Sequence, residues 1–149
     1  MNPAPASGEI VQEMSMHAQA ERIFEALTNP EQLVQWWGIE GRFQATHLER
    51  DLRPGGKGVM RGTAMGGRPF EIKGEYREID RPRLLVTSWV ADWHEQDAPT
   101  IVRWDLEETN GVTHVRLTHS GLTNDTLRSN YRGWPQLLNL LREYAEAKS

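Results

Sequence analysis

Between Phe43 and Ser120 apolar and charged side chains alternate with a period of two. Strand-like runs fall near 43–52, 57–64, 69–79, 83–92, 100–108 and 112–120. Pro54-Gly55-Gly56, Gly66-Gly67, Asp80-Arg81-Pro82 and Asn110-Gly111 break them with turn chemistry. One phase carries Phe70, Ile72 and Tyr76, then Leu84, Val86 and Val90, then Val102, Trp104 and Leu106, and finally Val115 and Leu117. The other carries Glu71, Lys73, Glu75, Arg77, Arg103, Asp105, Glu107, His114 and Arg116. Such a pattern defines an antiparallel sheet with one wet and one covered face. Asn110-Gly111 between two alternating runs predicts a tight hairpin with a type I′ turn. The dry face needs a lid.

The last quarter of the chain supplies one. Leu127, Tyr131, Trp134, Leu138, Leu141 and Ala145 recur at steps of four and three, the spacing of one helix face, and Leu137 and Tyr144 widen the stripe. Thr123 or Asn124 can cap its start, and Asp125 puts negative charge in the first turn, where the helix dipole favours it. Pro135 has no N–H to donate and its ring crowds the carbonyl one turn back. The segment therefore either kinks, or stops near Arg132 and restarts at Pro135.

Ahead of the sheet, Glu9 to Met16 suits a strand. Ala20, Ile23, Phe24 and Leu27 follow helical spacing, and Asn29-Pro30-Glu31-Gln32 opens a second short helix. There Asn29 is the cap, Pro30 takes the first helical position, and Gln32 can reach back as in a capping box. Gly38 can end that helix. The expected fold is α+β: a curved seven-stranded antiparallel sheet wrapped around a long C-terminal helix, with two short helices between strands 1 and 2.

At 149 residues the chain suits one domain over residues 9–149, after a disordered tail over residues 1–8. A net charge of −4 without basic runs gives no invitation to nucleic acid. The absence of cysteine excludes disulfides, thiolate catalysis and Cys-based zinc sites. No window approaches the apolar length of a membrane span, and the first residues lack a signal-peptide pattern, so a cytoplasmic domain is expected. No cofactor is expected.

Five stretches, IFEALTNPEQLVQWWG, DLRPGG, GEYREIDRPRLLVTSW, VRLTHSGL and GWPQLLNLL, occur in the order found in a known superfamily. The chain resembles the helix-grip fold of the SRPBCC, or START-like, superfamily. Within it, the chain is most similar to the branch named after the activator of 90-kDa heat-shock-protein ATPase homologue. That resemblance implies a single START-like domain that binds an apolar ligand between sheet and helix. It also implies a possible chaperone contact through the sheet or a loop. A cofactor-free cyclase- or hydrolase-like enzyme in the same pocket is the third reading, and a homodimer contact stays open.

By phase, the side chains facing that gap are Trp37, Phe70, Ile72, Tyr76, Trp89 (or Val90, since the phase is ambiguous there), Trp104, Leu117, His119, Trp134 and Leu138. Six Trp is heavy use for this length, and each brings an apolar body with one N–H to satisfy. His119 ends an apolar phase before Ser120-Gly121. It is read either as a pocket polar group or base, or as a structural histidine bonding backbone near the start of the terminal helix. His47 with Glu49 and Asp51 has the alternation of strand ligands, and Asp92, His94, Glu95 and Asp97 cluster in a loop, but neither makes a convincing zinc set. Pro54-Gly55-Gly56-Lys57-Gly58 lacks the Ser or Thr and the following helix of a phosphate loop, and reads as a strand turn. Gly66-Gly67 reads as a hairpin tip near the pocket mouth. No nucleophile motif is present.

Overall fold

A computed structural model describes residues 8–92, 99–123 and 125–147, with only the backbone of Leu127 and Asn130. Asn124, the side chain of Leu127, and His94, Glu95 and Asp97 of the acidic loop lie outside the described residues, as do residues 1–7 of the expected tail. Gly8 belongs to the folded unit: it is buried, and its carbonyl accepts the Leu122 N–H at 2.9 Å.

The elements follow the order β1 (Ile10–Met16), α1 (Ala20–Thr28), α2 (Pro30–Trp36), β2 (Gly38–Ile39), β3 (Phe43–Arg50), β4 (Lys57–Ala64), β5 (Pro69–Asp80), β6 (Leu84–Ala91), β7 (Thr100–Thr109), β8 (Val112–Ser120), α3 (Asp125–Asn130) and α4 (Trp134–Ala147). The sheet is antiparallel in the order β1-β8-β7-β6-β5-β4-β3-β2, and α4 reaches both edge strands, β1 and β2. It has eight strands, not seven. The extra one, β2, is only two residues long, and pairs Gly38 with Gln44 and Ile39 with Phe43. Trp37 caps α2 instead of Gly38 and its backbone runs straight into that strand.

Two local expectations change for reasons of partner choice. Asn29 caps α2 by accepting the Glu31 N–H at 3.0 Å, but the Gln32 side chain accepts from Arg22 at 3.2 Å and does not close a capping box. In β6 the inward phase is Leu85, Trp89 and Ala91, while Val90 is 39% exposed. Both phases of LLVTSWVA are largely apolar, so composition alone cannot orient the strand. Register decides: Ala91 pairs with Ile72, and Leu85 with Trp104, both core residues.

The hairpin at Asn110-Gly111 has positive φ at both central residues, 52° and 79°, as a type I′ turn requires. At the C-terminus the chain breaks instead of kinking. Tyr131, Arg132 and Trp134 donate to carbonyls three residues back, and α4 starts at Trp134 with Pro135 in its first turn, where an N–H has no intrahelical partner to lose. Below the break, Leu138, Leu141 and Ala145 are at most 1% exposed against Val102, Val115 and Leu117 at 0%.

Candidate functional site

The break in the terminal segment and the short β2 leave one end of the half-barrel open. A cleft of about 540 Å³ lies there, between Trp37, Ile39 and Phe43 on one side, Phe70, Ile72 and Trp89 on the sheet, and Tyr131, Gly133, Trp134 and Leu137 on the helix side. Its volume falls in the range of small-molecule sites. Small side chains make the space: Ala64 is on its wall, and Gly62 sits beneath Phe70. A Cβ at 62 would lie 2.7 Å from the Phe70 ring and 2.2 Å from the Gln44 carbonyl oxygen. Behind the cleft is a second gap of about 70 Å³, reached past Trp37, Ile72 and Trp89, which border both, and lined further by Tyr76 and Trp104. Burial pushes the Tyr76 phenol up, against a smaller opposing pull from Arg50.

The aromatic wall is a connected cluster. Trp37 lies 5.8 Å from Trp89 and 5.6 Å from Trp134 between ring centroids, the latter edge to face. Trp134 in turn meets Trp104 at 6.0 Å and stacks with Tyr131 at 6.4 Å. These spacings suit attraction between ring edges and faces.

A hydrogen-bond relay holds the rings in place. The Trp134 indole N–H donates to His119 Nδ1 at 3.1 Å, and His119 Nε2 meets the Thr100 hydroxyl at 2.8 Å. Thr100 donates its one hydroxyl proton to the Trp89 carbonyl at 2.9 Å, so it must accept from His119. An indole N–H can only donate. His119 is therefore neutral with its proton on Nε2, and both ring nitrogens are engaged. The Trp89 indole N–H donates to the Tyr131 hydroxyl at 3.1 Å, which ties the sheet to the break before α4. His119 is 0% exposed, and its two ring nitrogens meet the Trp134 indole and the Thr100 hydroxyl.

Of the residues read from the sequence, Trp37, Phe70, Ile72, Trp89 and Trp134 stand on the cleft wall, and Tyr76 and Trp104 on the inner gap. Leu117, His119 and Leu138 are not on the cleft wall; they are buried behind it, at 0%, 0% and 1% exposure. Alternation tells which face a side chain takes, not how far along the strand the helix crosses. Sequence reasoning missed Arg42, Phe43, Arg68 and Tyr131. A signal existed in the parallel strings Gly41-Arg42-Phe43 and Gly67-Arg68-Pro69-Phe70, each placing Arg before a wall aromatic. His47 contacts Glu49 at 3.2 Å on an exposed edge, and no metal-competent group of three His, Asp or Glu occurs among the described residues. No described helix is long and apolar enough to cross a membrane.

A curved antiparallel sheet gripping a C-terminal helix, with a cleft at one end, defines a helix-grip domain. The chain belongs to the family described as Activator of Hsp90 ATPase homolog 1-like protein, whose model matches residues 17–146. That membership supports a domain of the ligand-binding type in general. Similar solved structures include protein CV1439 from Chromobacterium violaceum, 25% identical over 93% of this chain and 97% of that one, with a TM-score of 0.83. Protein NE0264 from Nitrosomonas europaea is 17% identical over 99% and 100%, TM-score 0.81. The AHSA1-like protein from Aeromonas hydrophila is 22% identical over 93% and 94%, TM-score 0.73. No curated protein matches the chain in sequence.

Proposed function

We propose that the chain is a single START-like domain that holds one small hydrophobic or aromatic molecule in the open cleft. The observation that carries this reading is unfilled space of about 540 Å³ walled by Trp37, Phe70, Trp89 and Trp134. Core space of that kind is normally packed. Trp37, Phe70, Ile72, Trp89 and Trp134 contact the ligand; Tyr76 and Trp104 receive any part that reaches the inner gap; Leu117, His119 and Leu138 back the wall. The chain works in the cytoplasm and needs no cofactor in this reading.

Titration with naphthalene, indole and short alkanols, read by amide shifts, tests it. Saturable shifts at the cleft residues support the assignment, and a panel that moves none of them overturns it. The family description also names an ATPase activator. Among the described residues only Met65 and Val90 are large exposed apolar side chains, so no broad apolar docking face favours that second role.

A further inference from the structure

The cleft is apolar inside, but its rim carries Arg42 and Arg68. Both are exposed, and neither forms an ion pair among the described residues, whereas Arg53, Arg61, Arg81, Arg83, Arg103 and Arg128 each hold a carboxylate. Arg42 has only a long 3.5 Å contact to the Gln136 amide oxygen. Two equivalent turns deliver these arginines to one corner. Gly41 and Gly67, at φ of 80° and 77°, each precede an Arg, and the Phe that follows each Arg meets the other edge to face, Phe43 to Phe70 at 6.2 Å. The backbone agrees: Phe43 pairs with Ala64, whose N–H donates to the Arg68 carbonyl at 2.6 Å. The start of α4 at Trp134, just after Gly133, adds the positive end of a helix dipole to the same cleft. One carboxylate among the described lining residues opposes them. Asp92 is also on the rim, with Oδ2 accepting the Glu71 N–H at 3.0 Å. Among the described residues the rim is thus net positive.

Resting on the ligand-binding reading above, we infer that the ligand is an acid: an apolar or aromatic body in the cleft with a single carboxylate held at the mouth by Arg42 and Arg68. Guanidinium matches a carboxylate with paired N–H donors, while the aromatic wall takes the remainder. A neutral molecule would leave both cations unused. A dianion would meet Asp92.

Two matched pairs test this, naphthalene-2-acetate against naphthalene-2-acetamide and decanoate against decanamide, titrated at neutral pH with amide shifts of the cleft residues as readout. The expected result is acid binding about tenfold tighter than amide, weakening with added salt as exposed charge pairs do. Arg42→Gln and Arg68→Gln each remove part of the preference and together abolish it, while amide affinity stays put. Arg103→Gln, on the outer face, changes neither, and Asp92→Asn strengthens the acid alone. Equal binding of acid and amide overturns the inference but leaves the cleft reading standing. A preference that survives the double Arg variant overturns the assignment of these two residues. Failure of all four probes to move the cleft amides overturns both readings.

Discussion

The two ends of this half-barrel are built from the same strands and closed in opposite ways. At one end α1 lies across the mouth and long-range contacts peg it there. Glu108 at the end of β7 accepts the first helical N–H of α1, from Ala20, at 2.7 Å; Thr113 donates to the Ala18 carbonyl at 2.7 Å; and Glu146 accepts the His17 N–H at 2.8 Å. Ile23, Phe24, Met16 and Leu141 are all at 0% exposure there. Among the described residues no helix crosses the other end, where the Gly41-Arg42 turn, the single helical turn of Met65–Gly67 and the break before α4 stand instead. Closure is therefore a matter of which element follows which strand, and not of the sheet's own curvature. A cleft results where turns replace a helix.

The most disruptive test of that contrast is Trp134→Ala. Removing a ring 2% exposed, and stranding His119 Nδ1, should cost about 3–5 kcal/mol by urea denaturation. Native-state hydrogen exchange sharpens it. Amides of Trp89 and Tyr131 should open at much lower free energy than in the parent, while those of Val115 and Leu141 follow only the global loss. Uniform loss of protection would show the two ends to be one cooperative unit. Next in size comes His119→Leu. It leaves the Trp134 N–H without an acceptor and the Thr100 hydroxyl without a donor, at about 2–3 kcal/mol. Its signature is a change in Trp fluorescence, because the Trp134 indole on the cleft wall loses its acceptor.

That relay was invisible in the sequence, and the reason is instructive. The alternation in VTHVRLTHS places His119 on the inner face with Val115 and Leu117, and that much was legible. Its partners come from β7 and α4, nineteen and fifteen residues away in sequence, and no local pattern encodes such a meeting. The break at Pro135 was legible as one of two outcomes, since proline forbids only a straight helix. The strand β2 was not, because two residues carry no period. β6 was ambiguous because both its faces meet apolar neighbours or short polar ones. The cleft wall was half legible: aromatic phase marks the face, whereas rim residues such as Arg42 and Arg68 lie in turns, where neither period applies.

The closed end offers a smaller test. Thr113→Val keeps the shape of a residue at 0% exposure but removes the donor to the Ala18 carbonyl. The expected cost is about 1–2 kcal/mol, measured by thermal or urea unfolding. Ligand titration of the cleft should be unchanged, since this peg lies at the far mouth. A shift in cleft affinity would mean that the ends communicate.

The smallest effect belongs to Arg81, in the β5–β6 turn, whose guanidinium bonds both Glu21 and Glu25 on α1 and sits 5.1 Å from the Phe24 ring centroid. These side chains are partly solvated, at 41% for Arg81, 51% for Glu21 and 33% for Glu25, so screening limits the worth of the cluster to about 0.5–1 kcal/mol. Hydrogen bonding to Arg81 holds the Glu25 carboxyl below its ordinary 4.5, outweighing the smaller opposing effect of burial. A carboxyl lowered on folding contributes stability at pH above its unfolded value, and that stability is lost as pH falls through the folded value. Arg81→Gln should therefore be less stable than the parent at neutral pH, with the two unfolding curves converging as pH drops below the carboxylate range. A gap that persists undiminished in acid would assign the contribution of Arg81 to its packing over Phe24, and the external bracing of the closed end would then be apolar, not ionic.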